Sequence, residues 1–457
     1  MGSASETVGS VPEHTDVIVV GARCAGSATA IELARAGRRV VVLDAAAFPS
    51  DTLSTHLLWP AGVVELRDLG ALERVLGSGA PRLTTALAAG AGFEIRSRFP
   101  DVTGIDYALC VRRPALDAAL VATARAAGAE VRERCRVHEL IRHDGRIAGV
   151  RYRDHDRVER ELRAPLVIGA DGRASTVARL VAAGDPHRSE PSGRDCYFAY
   201  WTDPHEDRRQ IAAQWREGPL LGTAFPCDDG LMLCLVQPPA GYAGRGPGAA
   251  EAAYRAAVAG IPALHNRLRG CERVGRVRSA TGLISWFRRS SGPGWALPGD
   301  SGHFKDPVTA QGIRDALRYG RLLGAAAAPA LDDPAALDRA LRSWAWRRER
   351  ECAAMYRWTN RLARGEAMGP LEIELYRAAA RDPRLAAATL EVMSRTRAPS
   401  RILDPARLVV LTARAFRNSR GRRGDLVSQV ADEVRGIAEG WLQRPAHLST
   451  AQQSPNR

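Results

Sequence analysis

A strand–turn–helix–strand unit at the start of the chain constrains its fold more than any other feature. Asp16 to Val20, DVIVV, is a continuous apolar run, the pattern of a strand buried on both faces of a parallel sheet. It enters the turn Gly21-Ala22-Arg23-Cys24-Ala25-Gly26. The helix-forming segment SATAIELARA follows and stops at Gly37, a residue suited to helix ends. A second strand, Arg39 to Leu43, ends in Asp44. An acidic residue about 20 positions beyond a glycine turn completes a dinucleotide-binding fingerprint. The first glycine makes the turn, the last lets helix and strand approach, and the carboxylate accepts hydrogen bonds from ribose hydroxyls. One position departs from the pattern: Arg23 stands where a middle glycine normally admits the pyrophosphate. Either the arginine points outward or it contacts phosphate itself.

Two further segments suit the same ligand. Trp295 to Leu317, WALPGDSGHFKDPVTAQGIRDAL, places Asp300 after a short apolar run and Gly312 at the start of a helix. A carboxylate for hydroxyls and a helix N-terminus for negative charge form a two-sided grip on a polar cofactor. Between these ends, Leu166 to Ser175, LVIGADGRAS, is a strand running into an Asp171-Gly172 turn. Arg113, Leu116 and Asp117 open a helix that ends at Gly128, where Arg113 is within reach of a phosphate or a sugar chain. Arg136 to Arg163 alternates around His143-Asp144-Gly145 as a β-meander does.

Composition bounds the remainder. The chain has 457 residues, 45% apolar and 25% charged, with a formal net charge of +14. That length accommodates two or three cores. No apolar run spans a membrane, and the polar first residues do not form a secretory signal. Eight cysteines without a C-x-x-C pair read as reduced core thiols, and no metal site is expected. A cytoplasmic location follows as an expectation. The positive balance rests on arginines, Lys305 being the sole lysine. It suits attraction of anions, such as dinucleotide phosphates or an acidic carrier protein, or simply a solvated surface. The arginines are dispersed and form no nucleic-acid motif.

GARCAG with Asp44, RRPALD, GADGRASTVAR and PGDSGHFKDPVTAQG occur in this order over about residues 15 to 320. Together they resemble the FAD-dependent monooxygenases of the para-hydroxybenzoate hydroxylase fold, whose wider group includes geranylgeranyl reductases and flavin-dependent halogenases. The resemblance implies an α/β, overall α+β, architecture. A Rossmann-like FAD-binding domain is expected from 14–75, 103–185 and 286–334. A mainly antiparallel substrate-binding sheet is expected from 76–102 and 186–285, and a helical C-terminal region from 335–445. Residues 1–13 and 446–457 are expected to be disordered tails.

Carried over residue by residue, the resemblance puts Gly21, Cys24, Ala25 and Gly26 around the FAD phosphates and Asp44 on the adenosine ribose. Arg113 falls near the ribityl chain and pyrophosphate. Val137, taken as part of the strand after Gly128, falls where a backbone group meets adenine. Asp171 would serve FAD and a transient NADPH or NADH, and Asp300 the ribityl hydroxyls. Pro307, Gly312 and Ile313 would line the isoalloxazine. The loop Pro49 to Gly62 would bring Ser54, Thr55 and His56 to the reactive edge, with His56 the candidate catalytic residue, alternatively a spacer of the loop. A structural role is expected for His303. Trp201, Trp215, Phe225 and Trp286 are the candidate substrate-pocket residues. GYAGRGPG, Gly241 to Gly248, reads as a loop, so no separate nicotinamide domain is expected. RLVVLTARAF, Arg407 to Phe416, is expected to pack on the protein's own body.

The activity so implied is hydroxylation or epoxidation of an aromatic or polyketide-like small molecule, with one oxygen atom passing to the substrate. The substrate is free or carrier-protein-tethered, and a flavin reductase is a possible partner. An ene-reductase of the geranylgeranyl reductase type is the alternative. Halogenation is expected to need a lysine between flavin and substrate, and Lys305 lies in the cofactor loop instead. A flavin carrier without turnover is the remaining reading.

Overall fold

The computed structural model describes residues 13–244, 246–402, 405–418, 421, 424–431 and 434. Along the chain, β1 (Val17–Val20), α1 (Cys24–Arg35) and β2 (Val40–Leu43) form the opening unit. There follow α2 (Pro60–Asp68), β3 (Thr85–Gly90), β4 (Phe93–Arg98), α3 (Arg113–Ala126) and β5 (Glu130–Arg132). The meander is β6 (Arg136–His143), β7 (Arg146–Arg153) and β8 (Glu159–Arg163), leading to β9 (Leu166–Gly169). Next come β10 (Cys196–Thr202), β11 (Ile211–Glu217), β12 (Leu220–Pro226), β13 (Leu231–Gln237), α4 (Ala249–Ala259), α5 (Pro262–Arg267) and β14 (Arg273–Ala280). The last elements are β15 (Trp295–Ala296), α6 (Gly312–Ala327), α7 (Pro334–Leu362), α8 (Pro370–Ala379), α9 (Pro383–Met393) and α10 (Pro405–Asn418).

The first sheet has the order β15–β9–β1–β2–β5, all parallel, with Ser291–Gly292 added antiparallel at the β15 edge. Its strands are apolar on both faces because both are covered. Val17 and Val19 pack with α1, α3, α6 and α7. Ile18 and Val20 pack on Leu140, Ile147 and Val150 of the meander. The second sheet, β14–β10–β13–β12–β11–β3–β4, is antiparallel except for the β11–β3 pair. Its strand β3 precedes the meander in sequence, so the chain crosses between the two sheets more than once.

Two expectations are corrected. Glu13 is not in a tail: Glu13–His14 pairs in parallel with β8, Glu13 opposite Leu162. Residues 1–12 and 446–457 lie outside the described residues. Val137 is not in the strand after Gly128, which is β5, but in β6, one strand later.

Two helices from opposite ends of the cofactor region lie in direct contact. A Cβ on Gly320 of α6 would sit 2.5 Å from the Ala25 carbonyl oxygen of α1, and one on Gly324 would sit 2.9 Å from that of Thr29. Both separations are too short for a side chain, so the glycines set the interhelical distance. Gly320→Ala should therefore force the helices apart and cost about 1–3 kcal/mol. Urea unfolding measures this; an unchanged midpoint would show that the contact tolerates a methyl group.

Candidate functional site

α1 and α6 lie side by side, Gly320 against Ala25 and Gly324 against Thr29, and neither helix start carries a side-chain cap. In α1 the first intrahelical bond is Ser27 N–H to the Arg23 carbonyl, 2.9 Å. The N–H groups of Cys24, Ala25 and Gly26 precede it and lack an intrahelical acceptor. Gly21 has φ +100°, and a Cβ there would meet the Ala170 carbonyl at 2.5 Å. Asp44 braces this turn: its carboxylate accepts from Ala22 N–H at 2.6 Å and from Ala46 N–H at 2.8 Å.

Arg23 does not point outward. Its guanidinium is ion-paired to Asp117 of α3 and bonded to the Ser50 hydroxyl at 3.0 Å. Arg113 donates to the same carboxylate at 2.8 and 3.2 Å. Asp117 is fully buried and takes both cations. Two guanidiniums against one carboxylate leave a positive surplus beside the α1 N-terminus. That surplus and the unspent N–H groups fit a diphosphate.

Asp300 lies on the turn Gly299–Ser301, half-buried. Its carboxylate makes no hydrogen bond among the described residues. Burial raises its pKa, opposed by the charges of Arg173, Lys305 and Arg113. A partly buried acceptor without a donor fits the ribityl hydroxyls. Asp171 differs, because its carboxylate accepts from Ser175 Oγ at 2.5 Å and Val177 N–H at 3.1 Å. It anchors the short helix Thr176–Leu180. Val137 is buried under the meander.

Asp306 accepts from Val308 N–H at 2.8 Å and so sets the turn Pro307–Thr309. Ala310 then turns left-handed, φ +51°, and α6 begins at Gly312. A Cβ on Gly312 would meet nothing within 4 Å, whereas Ile313 is buried. His303 stacks on Phe287 with ring centroids 3.7 Å apart and bonds the Trp286 carbonyl at 2.8 Å. Lys305 is buried and ion-paired to Asp315, which also meets Arg314 at 2.8 Å.

His56 is fully buried at φ +62°. Nδ1 lies 2.6 Å from the Ser54 carbonyl and Nε2 2.7 Å from the Tyr200 hydroxyl. With Nδ1 donating to the carbonyl, Nε2 accepts from Tyr200. Burial, then the charge of Arg113, pushes its pKa down to about 3. Its only hydrogen-bonded route outward runs through Tyr200. Sequence reasoning missed Tyr200; its place on β10, opposite Leu233 of β13, has no local signature.

Period-two alternation sorts the second sheet. Tyr197, Ala199, Ala213 and Trp215 turn toward α4 and α5, and Trp201 joins them, donating its indole N–H to Tyr254 at 2.8 Å. The expectation that Trp201 and Trp215 line a pocket is thereby corrected: they face α4 and α5, while β11 presents Gln214 and Arg216 on its other face. Phe225 is on the other face, with Phe198 and Phe304. That face and helices α7, α8 and α9 wall a cavity of about 550 Å³, which reaches Val308 of the cofactor loop. Cavities of several hundred Å³ accommodate small organic molecules.

Comparison with known proteins agrees with this geometry. Residues 14–221 match the family of FAD binding domains. The chain is 29% identical over 342 residues to a menaquinone reductase of Mycolicibacterium smegmatis, covering 68% of this chain and 75% of that protein. It is 29% identical over 323 residues to the 6-methylpretetramide 4-monooxygenase of Streptomyces rimosus, covering 67% and 73%. A flavoprotein/dehydrogenase from Cytophaga hutchinsonii has the same fold, with a TM-score of 0.71 at 18% identity over 83% of this chain and 92% of that one. The chain carries an FAD-binding domain and is a flavin-dependent oxidoreductase. No helix among the described residues is long and apolar enough to cross a membrane.

Two outcomes are expected. Asp300→Ala should purify with much less flavin than the parent, read from the absorbance ratio of flavin to protein; full occupancy would remove Asp300 from the cofactor site. His56 is neutral when folded but protonates near its ordinary value of about 6.5 when unfolded. Its contribution is complete above about pH 6.5 and is lost as the pH falls toward its folded value, by up to about 1.4 kcal/mol per unit. Denaturation midpoints of His56→Gln should lack this component, so parallel pH curves for parent and variant would contradict it.

Proposed function

We propose that the chain is an FAD-dependent monooxygenase that hydroxylates or epoxidises an aromatic or polyketide-like small molecule, with NADPH or NADH as the transient reductant. The observation that carries this reading is the cavity of about 550 Å³ set against Val308, next to the loop that would line the flavin ring. Bound FAD would supply the oxygen chemistry, accepting hydride from the nicotinamide and activating dioxygen. Cys24, Ala25 and Gly26 with Arg113 would hold its pyrophosphate, Asp44 its ribose, Asp300 its ribityl chain, and the start of α6 its ring edge.

The chain's own part is placement and exclusion of water. Sheet and helices seat the substrate against the cofactor loop. Neutral His56 holds the Tyr200 hydroxyl as a proton-bearing group on the sheet face that borders the loop. A substrate phenol needs a hydrogen-bonding partner of this kind. Tethering of the substrate to a carrier protein is compatible with the chain's positive balance.

A second reading, an ene-reductase, is favoured by the likeness to menaquinone reductases. Halogenation is disfavoured because Lys305 is buried against Asp315.

Turnover under labelled dioxygen separates the two readings. Incorporation of one labelled oxygen atom into the product, with stoichiometric oxidation of the nicotinamide, is expected. A product heavier by two hydrogens and free of label would make the chain an ene-reductase.

A further inference from the structure

The cavity beside Val308 is mostly aliphatic, yet four polar side chains on its walls are unspent. Gln214 of β11, Trp358 of α7, Tyr376 of α8 and Thr389 of α9 all border it. None makes a side-chain hydrogen bond among the described residues, and all four are half-buried. Their polar atoms have no partner among the described residues, so a ligand that displaced solvent from them without bonding them would lose free energy. All four can donate a hydrogen bond: an amide N–H, an indole N–H and two hydroxyls. Burial and the charge of Glu372 push the Tyr376 phenol up to about 12, so it keeps its proton at neutral pH.

Apart from the exposed Glu366, the charges on the same walls are already committed. Arg216 is ion-paired to Glu372 and donates to the Glu366 carbonyl at 3.0 Å. Arg361 and Arg364 are engaged elsewhere in the chain. An anionic ligand would have to break a partly buried pair to find a cation, and would leave Glu372 beside it. A ligand without oxygen atoms would leave four donors unpaired.

We infer that this cavity takes a neutral, largely apolar molecule bearing several carbonyl or hydroxyl oxygens, and that Gln214, Tyr376 and Thr389, with the Trp358 indole, read those oxygens. The inference rests on the cavity being the substrate site and deepens that reading by fixing the class of substrate. Three of the four groups lie on C-terminal helices, beyond the 14–221 match to FAD binding domains. The cofactor region and the selecting region are then different stretches of the chain. Chemistry can be retained while α7, α8 and α9 change what is admitted.

Calorimetric titration of the FAD-loaded protein tests this with three probes of similar ring shape. They are chrysazin, a neutral dihydroxyanthraquinone; anthroate, its anionic counterpart; and anthracene, which lacks oxygen. Chrysazin should bind most tightly, with anthroate weaker by about tenfold or more. Gln214→Leu, Tyr376→Phe and Thr389→Val keep side-chain volume nearly constant. Each should weaken chrysazin by about fivefold per lost hydrogen bond while leaving anthracene unchanged. Flavin occupancy and thermal midpoint, measured on each variant, exclude misfolding as the cause. Equal or tighter binding of anthroate overturns the inference, as does chrysazin binding that none of the three variants alters. Labelled-oxygen turnover on a substrate whose affinity ignores all three variants would retain the monooxygenase reading and reject this one. Residue-dependent chrysazin binding without oxygen transfer would do the reverse.

Discussion

The contact between α1 and α6 underlies everything else at the site. The two helices begin nearly 290 residues apart in the chain, at Cys24 and Gly312. Gly320 and Gly324 let them approach until side chains no longer fit between the backbones. The N-terminus of α1 suits a diphosphate and that of α6 the negatively charged edge of a reduced ring. The parallel sheet places Gly21 and Ala170 side by side at the ends of neighbouring strands, and Asp171 follows directly on that end.

Electrostatic economy around this site separates structural groups from available ones. Asp117 is consumed by Arg23 and Arg113, and Asp171 by its own helix start. Asp300 is not consumed, and the charges of Arg173, Lys305 and Arg113 act on it without a direct bond. His56 shows the opposite limit, buried and satisfied on both nitrogens, so that its influence passes through Tyr200. The same distinction marks the cavity, where the charged pair is closed and the neutral donors are open.

Much of the cofactor region was legible because its signals are local. A run such as DVIVV has no other stable place than a covered strand, and the turn chemistry of Gly21 to Gly26 follows within a few residues. Asp300 and Gly312 were legible for the same reason. The fate of Arg23 was not, because its partner Asp117 is 94 residues away. Tyr200 and Trp201 were missed or misjudged because β10 carries aromatic side chains on both faces; Trp215 faces away from Gln214 and Arg216, the β11 residues that meet the cavity. Alternation tells which residues share a face but not which face meets the cofactor loop. Glu13, read as tail, gained its place only from the exposed edge of β8.

The sequence by itself therefore determined the parallel α/β unit, the glycine turn, the carboxylates at strand ends and the helix starts that await a dinucleotide. Each depends on backbone conformation and on interactions within one βαβ unit. Tertiary structure alone decided that α1 and α6 pack together, that His56 rests on Tyr200, and that the open sheet face meets α7, α8 and α9. Those are contacts between segments scores to hundreds of residues apart, and their energies depend on shape and burial that no local pattern encodes.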